Sequence, residues 1–406
     1  MTGLRWFHKS SGFTRMLPES ENLTKIAFIV NGGSESAMGY RARAFAGCLQ
    51  SRFKIEVAYR EKNKLASIIR FLFFLRQEKP QVSYIFDMGY SGVVAAWLHR
   101  LLYRNRMVID TGDVIYELMR STGNRSWVGL QLTGVLEKFS LRVADRIVVR
   151  GRYHREWLAH RSLSADVIPD GVDTEEFKPL NVSGLKEQLG LDGFVTVGLV
   201  GSSIWSERLQ MCYGWEVVEL LRLLPHVKVK GVIVGSGSGI AHLKNRCRQY
   251  ELEDRVLFVP HVPYHELPRY LNVIDICLST QTNDVVGQVR TSGKLPLYLA
   301  AGHYVLASDV GEAALVCERD MLVPYDGVHD LDYPNKLAER VEALLDQPVK
   351  LENGLRNIAV AKNHFEYSKL ADRLAETVNR VLNNNAGQLH EDLDNRGPDA
   401  IRAVDR

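Results

Sequence analysis

Short, wholly apolar runs alternate with amphipathic stretches along most of the chain. Lys25-Ile26-Ala27-Phe28-Ile29-Val30 ends in Asn31-Gly32-Gly33, the form of a strand buried on both faces that runs into a glycine turn. A helical pattern follows from about Tyr40 to Ser51. Next come strand Ile55–Tyr59, helix 64–78, strand Val82–Phe86, helix 90–103, strand Met107–Ile109, helix 126–143, strand Arg146–Val149 and helix 151–160. Strands alternating with helices predict an α/β fold with a parallel, doubly wound sheet.

At Ala165 the pattern breaks. Asp166-Val167-Ile168-Pro169-Asp170-Gly171-Val172-Asp173 ends a strand in a Pro-Asp-Gly turn, and Thr174-Glu175-Glu176-Phe177-Lys178-Pro179 leads to a second proline, as in an interdomain linker. The alternation then restarts: strand Phe194–Gly201, helix 212–223, strand Val229–Gly235, the run Gly235-Ser236-Gly237-Ser238-Gly239, helix 240–250, strand Val256–Val259, helix 265–271 and strand Ile274–Ser279. Helices 334–346 and 366–383 follow a last short strand, Met321–Val323. The expected layout is an N-terminal extension (1–24), a first Rossmann-like domain (25–165), a linker (166–180), a second Rossmann-like domain (181–364), a returning helix (365–383) and a disordered polar tail (384–406). Ligands in such folds bind beyond the carboxyl ends of the strands.

Composition narrows the classes. The 406 residues are 46% hydrophobic and 24% charged, with a net charge of +3, ordinary for a globular protein and no sign of a nucleic-acid partner. Five scattered cysteines form no Cys-x-x-Cys pair, which argues against a zinc site or disulfide framework and fits a reducing cytoplasm. No run of eighteen apolar residues exists, so no spanning helix is expected, and the first 24 residues lack a signal-peptide core. Two greasy stretches have cationic flanks. Residues 65–76 lie between Lys62/Lys64 and Arg76/Lys79, and residues 97–106 contain Arg100, Arg104 and Arg106. Either could rest on an anionic membrane surface or pack on the sheet with a basic outer face, so a peripheral seat at the inner membrane face is one expectation.

Candidate chemistry concentrates between Gln288 and Ala313. Arg290, Thr291, Ser292, Gly293 and Lys294 stand at the predicted start of a helix, where free N–H groups, two cations and two hydroxyls suit an anion such as phosphate. Gly235–Gly239 is a poor dinucleotide fingerprint, because no acidic residue follows on a ribose-reading strand. The histidines form no triad, and no carboxylate cluster has metal-ligand spacing.

Four segments, in order, resemble retaining glycosyltransferases of family 4 on the GT-B fold (glycosyl transferases group 1). They are Val167–Asp173 with Phe177-Lys178-Pro179, Val229–Gly239, Val256–Val262, and Lys294–Gly302 with Ser308–Gly311. The resemblance covers roughly residues 25–383 and implies transfer of a sugar from a nucleotide-sugar donor to a saccharide or lipid-linked acceptor, without a metal or other cofactor. By position it implies that Lys294 and its neighbour Arg290 contact the donor diphosphate, with Thr291, Ser292 and Gly293 beside them. It also points to Gly201, Ser202 and Arg208 after the first strand of the second half, to Val262, and to Gly32, Gly33, Gly39 and Arg41 in the loop of the first half.

Two departures stand out. The family's pair of glutamates eight residues apart falls on Val289 and Leu297, and its histidine before aspartate falls on Gly112, leaving Asp113 (or Asp110) as the candidate for sugar or acceptor hydroxyls. A non-catalytic glycosyltransferase-like subunit and a GT-B sugar-nucleotide epimerase are therefore kept as alternatives.

Overall fold

A computed structural model describes residues 23–383 apart from Lys62 and Asn124. Most of the expected N-terminal extension, the tail from Asn384, and Lys62 lie outside the described residues. Two six-stranded parallel sheets form the frame.

The first sheet has the order β2-β1-β3-β4-β5-β6, from β1 (Lys25–Val30), β2 (Lys54–Tyr59), β3 (Val82–Phe86), β4 (Arg106–Thr111), β5 (Arg146–Val149) and β6 (Ala165–Val167). Its helices are α1 (Ala37–Leu49), α2 (Lys64–Glu78), α3 (Tyr90–Tyr103), α4 (Ile115–Thr122), α5 (Trp127–Val143) and α6 (Arg152–Ala159). Strand side chains alternate between two cores. Ala27, Ile29, Ile85, Met107 and Ile109 meet Phe71 and Leu75 of α2, Val93 and Ala96 of α3, and Leu141 of α5. Ile26, Phe28, Tyr84, Phe86 and Val108 meet Phe45 of α1 on the other face.

The second sheet has the order β12-β11-β10-β7-β8-β9, from β7 (Val195–Val200), β8 (Val229–Val234), β9 (Val256–Val259), β10 (Ile276–Ser279), β11 (Tyr304–Ser308) and β12 (Leu322–Val323). Its helices are α7 (Ser183–Gln188), α8 (Trp215–Leu223), α9 (Ile240–Gln249), α10 (Leu267–Leu271), α11 (Val285–Val289), α12 (Lys294–Ala300), α13 (Ala313–Val316), α14 (Tyr333–Asp346) and α15 (Asn357–His364). Strand order reverses between β1 and β3 and between β7 and β10, and a crevice opens at such switch points.

The last helix, α16 (Tyr367–Asn383), crosses back to the first sheet. Leu370, Leu374, Val378 and Val381 pack with α1 over Ile26 and Phe28. Val172 of the linker and the chain before α16 bond to each other, Val172 N–H to Phe365 O at 2.8 Å and Tyr367 N–H to Val172 O at 3.2 Å. Gly171 leaves room for the Tyr367 ring, which a Cβ there would approach to 2.6 Å.

Two local features depart from the sequence pattern. Helix α4 was not expected, because its cap is not local: the Glu137 carboxylate of α5 accepts the N–H groups of Ile115 (2.6 Å) and Tyr116 (3.0 Å). Helix α8 starts at Trp215 rather than near 212, because Gly214 has φ +104°, outside the helical region.

Candidate active site

The carboxyl ends of both sheets face one cleft, and two side-chain bridges cross it. Arg290, just after α11, donates its Nε–H to Asp113 Oδ1 at 2.8 Å. Glu312, after β11, accepts the Arg152 backbone N–H at 3.0 Å and its Nε–H at 3.3 Å, so a carboxylate of one domain caps α6 of the other. The Asp113 carboxylate raises the Arg290 guanidinium above its already high range. Burial pushes Asp113 up, but Arg290 and Arg150 more than offset this, so its carboxyl titrates below the ordinary range. Both groups are charged at neutral pH.

Lys294 is the first residue of α12, and its Nζ lies 5.1 Å from the centre of the Tyr213 ring. Burial lowers this ammonium, while the nearby Glu216 carboxyl acts in the opposite sense. Glu216 is fully buried at the start of α8; Oε2 accepts the Gly214 N–H at 2.8 Å and Oε1 has no partner among the described residues. Burial raises Glu216, and Lys294 partly offsets it. Tyr213 also reaches Gln281 at 3.4 Å. The sequence reading missed Tyr213.

The first domain supplies a dense charge cluster behind Asp113. Arg41 is 1% exposed. Its Nε–H and Nη2–H donate to Asp110 at 3.1 and 3.0 Å, Nη2–H also to Ile168 O at 2.8 Å, and Nη1–H to Pro169 O at 2.5 Å and Asp170 at 3.3 Å. This corrects the expectation that Arg41 binds donor: its guanidinium is committed to tying β4 to the linker. Arg150 spans Asp87 (3.1 Å), Asp170 (3.5 Å) and Asp110 (3.6 Å). A Cβ on Gly112 would stand 2.5 Å from Arg150 Nη1. The guanidinium thus occupies the space that a histidine at 112 would need. His154, on α6, is buried; desolvation lowers it to about 4, so it is neutral at pH 7.

The glycine loops serve close packing of backbone. A Cβ on Gly235 would lie 1.9 Å from Gly201 O, and one on Gly237 2.1 Å from Ser203 O, so the 235–239 run lets two strand-end loops touch. Trp205 in the first of these loops stacks on His242 of α9 at 3.8 Å. Gly39 touches the backbone of Ser34, whereas Gly33 has open space around it.

The expected residues separate into groups. Asp113, Arg290 and Lys294 line the cleft with Tyr213. Thr291 is buried with its hydroxyl unpartnered, 2.9 Å from the position of a Cβ on Gly151, and Gly293 faces Asp170. Ser292 O accepts the Leu295 N–H at 3.0 Å. Gly201 and Ser202 are exposed at the end of β7, Gly32 is half-buried and Gly33 exposed at the end of β1, and Val262 packs partly buried beyond β9. Arg208 is not brought to Arg290; it is exposed and rests against Gly123 at the end of α4. Val289 and Leu297 are both core residues, 1% and 8% exposed. Among the described residues no group of three or more His, Cys, Asp or Glu is placed to hold a metal ion.

Residues 215–362 match the family model described as glycosyl transferases group 1. That stretch, most of the second domain, is similar to group 1 glycosyltransferases. Relatives are D-inositol 3-phosphate glycosyltransferases, from Segniliparus rotundus (24% identical over 297 residues, 71% of this chain and 61% of that one) and Nocardia farcinica (29% over 233 residues, 53% and 48%). The chain thus spans less than two thirds of either relative's length. The fold is GT-B, as the solved structures it resembles show. Sucrose-phosphate synthase from Thermosynechococcus elongatus superposes with a TM-score of 0.71 at 16% identity, covering 88% of this chain and 99% of that one. Anabaena HepE in complex with UDP-glucose gives 0.66 at 18%, covering 87% and 99%.

Proposed function

We propose that this glycosyltransferase moves a sugar from a nucleoside-diphosphate donor, with retention at the anomeric carbon, to a saccharide or lipid-linked acceptor in polysaccharide or glycolipid synthesis. The observation that carries the reading is the pair Arg290 and Lys294 at the cleft edge of the second sheet, with Asp113 opposite. HepE structures contain UDP or UDP-glucose, which supports a uridine nucleotide as the first donor to try.

As the glycosidic bond to the diphosphate breaks, negative charge grows on the leaving phosphate. Fixed cations aimed at it stabilise that transition state. In this reading Arg290 exchanges the Asp113 carboxylate for phosphate, and Lys294 stands over the second phosphate. Asp113, released, accepts a hydrogen bond from a sugar or acceptor hydroxyl. Arg290 and Lys294 supply the positive charge without a metal or other cofactor.

The test is UDP release from UDP-sugars with glycan and lipid-linked acceptors, in wild type and in Arg290→Ala and Lys294→Ala. A second reading, a nucleotide-binding subunit that does no chemistry, is favoured by the apolar, buried Val289 and Leu297. It predicts UDP binding with no release from any donor. A peripheral seat on an inner membrane face is the finer reading of location; no described helix is long and apolar enough to cross a membrane.

A further inference from the structure

Far from the cleft, at the amino-terminal edge of the first sheet, a cavity of about 360 Å³ opens between the turns that enter β3 and β4. Lys79, Arg104 and Arg106 line it, with His99, Tyr103 and Asn105. Arg106 pairs with Asp145 at 3.2 Å. Among the described residues neither Lys79 nor Arg104 has an acidic partner. Both are exposed, and they close α2 and α3 in left-handed backbone (φ 47° and 54°), a conformation that Gly or Asn adopts more cheaply.

His99, one of the lining residues, carries an unpartnered polar atom. His99 is 2% exposed. Asn105 Nδ2 donates to Ser83 Oγ at 2.8 Å, which turns its Oδ1 toward His99 Nδ1, also at 2.8 Å. Nδ1 therefore carries the proton and donates, and Nε2 is left buried with no partner. A buried acceptor without a donor marks a place for a ligand hydroxyl or a water. Cations for a phosphate and a histidine with an unpartnered ring nitrogen thus line one cavity.

The cavity has an apolar lip. Leu101 and Leu102, just before Arg104, are 63% and 78% exposed. They belong to one helical layer with the exposed stripe Leu65, Ile69 and Phe73 of α2 and with Trp127, Val128, Leu132 and Val135 of α5. No residue between Tyr90 and Arg100 is exposed, so α3 is recessed between its neighbours and only its cationic tip projects. Trp97, part of the expected surface stretch, packs against the core, and α5 contributes a stripe that the sequence reading did not see.

We propose that this cavity takes the hydroxylated phosphodiester headgroup of an anionic lipid, with Leu101 and Leu102 entering the bilayer beside it. The proposal deepens the membrane reading above and does not depend on which sugar is moved. Two copies set face to face would oppose Lys79 and Arg104 to their own likeness, which disfavours a dimer through this face. Apolar side chains ringed by unpaired cations match a bilayer that presents anionic phosphate above hydrocarbon.

The experiment is co-sedimentation of the full chain with phosphatidylcholine vesicles, with and without phosphatidylglycerol, at physiological salt. Wild type should pellet only with phosphatidylglycerol. Lys79→Asn/Arg104→Asn keeps the left-handed caps and removes two charges, and should weaken binding about 30-fold. Leu101→Ser/Leu102→Ser should weaken it by roughly 100-fold or more at unchanged charge. Thermal shift with UDP reports folding and donor binding separately, and both variants should match wild type there. The proposal is overturned if wild type stays in the supernatant, if it pellets equally with phosphatidylcholine alone, or if the double Asn variant binds as wild type does. Stabilisation by inorganic phosphate that disappears in the Asn variant, without vesicle binding, would assign the cavity to a free anion and overturn the lipid.

Discussion

Replacing Arg290 by alanine removes one cation from the cleft and leaves Asp113 without its partner. The two side chains are 30% and 22% exposed at a separation of 2.8 Å, between the surface and buried extremes for ion pairs. A charge-assisted contact to diphosphate in such a setting contributes about 1.5–3 kcal/mol, so UDP affinity should fall roughly 10- to 150-fold. Isothermal titration calorimetry at fixed salt reads this directly. The companion variant Asp113→Asn separates two explanations. If Arg290 binds phosphate itself, removing the competing carboxylate should leave UDP affinity equal to wild type or better. If Arg290 acts only by holding the domains together, Asp113→Asn should weaken UDP as much as Arg290→Ala does. Equal losses in the two variants, or an Arg290→Ala affinity within twofold of wild type, would refute the phosphate assignment.

Other outcomes follow from single residues. Arg41→Ala removes the nearest cation from the fully buried Asp110, leaving it the Tyr84 hydroxyl at 3.0 Å and Arg150 at 3.6 Å, and should cost about 3 kcal/mol, a fall in melting temperature on the order of 10 °C; an unchanged melting curve would contradict its structural role. Gly112→His, which restores the family's residue, collides with Arg150 and should destabilise by about 1–3 kcal/mol without a gain in turnover; differential scanning fluorimetry and a UDP-release assay check both halves. His154 and His303 are each lowered to about 4 by burial. The unfolded chain protonates near its ordinary value of about 6.5, so stability should be full above that pH and decline as pH falls toward 4. The drop in urea midpoint between pH 7 and pH 5 should shrink in His154→Gln/His303→Gln. Gly235→Ala puts a Cβ 1.9 Å from Gly201 O at φ +141° and should abolish soluble expression or lower the melting temperature sharply, whereas Gly33→Ala, with open space around it, should not.

Where the physics was local, the sequence carried it. Apolar runs such as Ile26–Val30 and Val232–Val234, each next to a glycine turn, read as interior strands, and the Pro169-Asp170-Gly171 turn separates the two alternating series. Arg290 and Lys294 were legible because cations and hydroxyls cluster in one short stretch. Partners distant in sequence were not legible. Arg41 was expected at the donor because the acceptors that hold it lie 69 to 129 residues away. Glu312 finds its role on Arg152, 160 residues earlier. Helix α4 lacked a visible start because Glu137 caps it from another helix. Tyr213 was not legible because the ammonium over its ring, Lys294, lies far along the chain.

The return of α16 bears on how the two halves could be separated. Its Leu370, Leu374 and Val378 complete a core that begins at Ile26, while the residues just before it, such as Ala361 and Phe365, belong to the second domain's core. A protease that nicks the exposed Glu175 would therefore leave the fragments joined non-covalently, and a recombinant first half ending at the linker would display bare Phe28 and Phe45. Exchange of domains between relatives has the same requirement: a grafted first half must bring its own terminal helix, so this architecture recombines as an insertion of the middle rather than as a swap of ends.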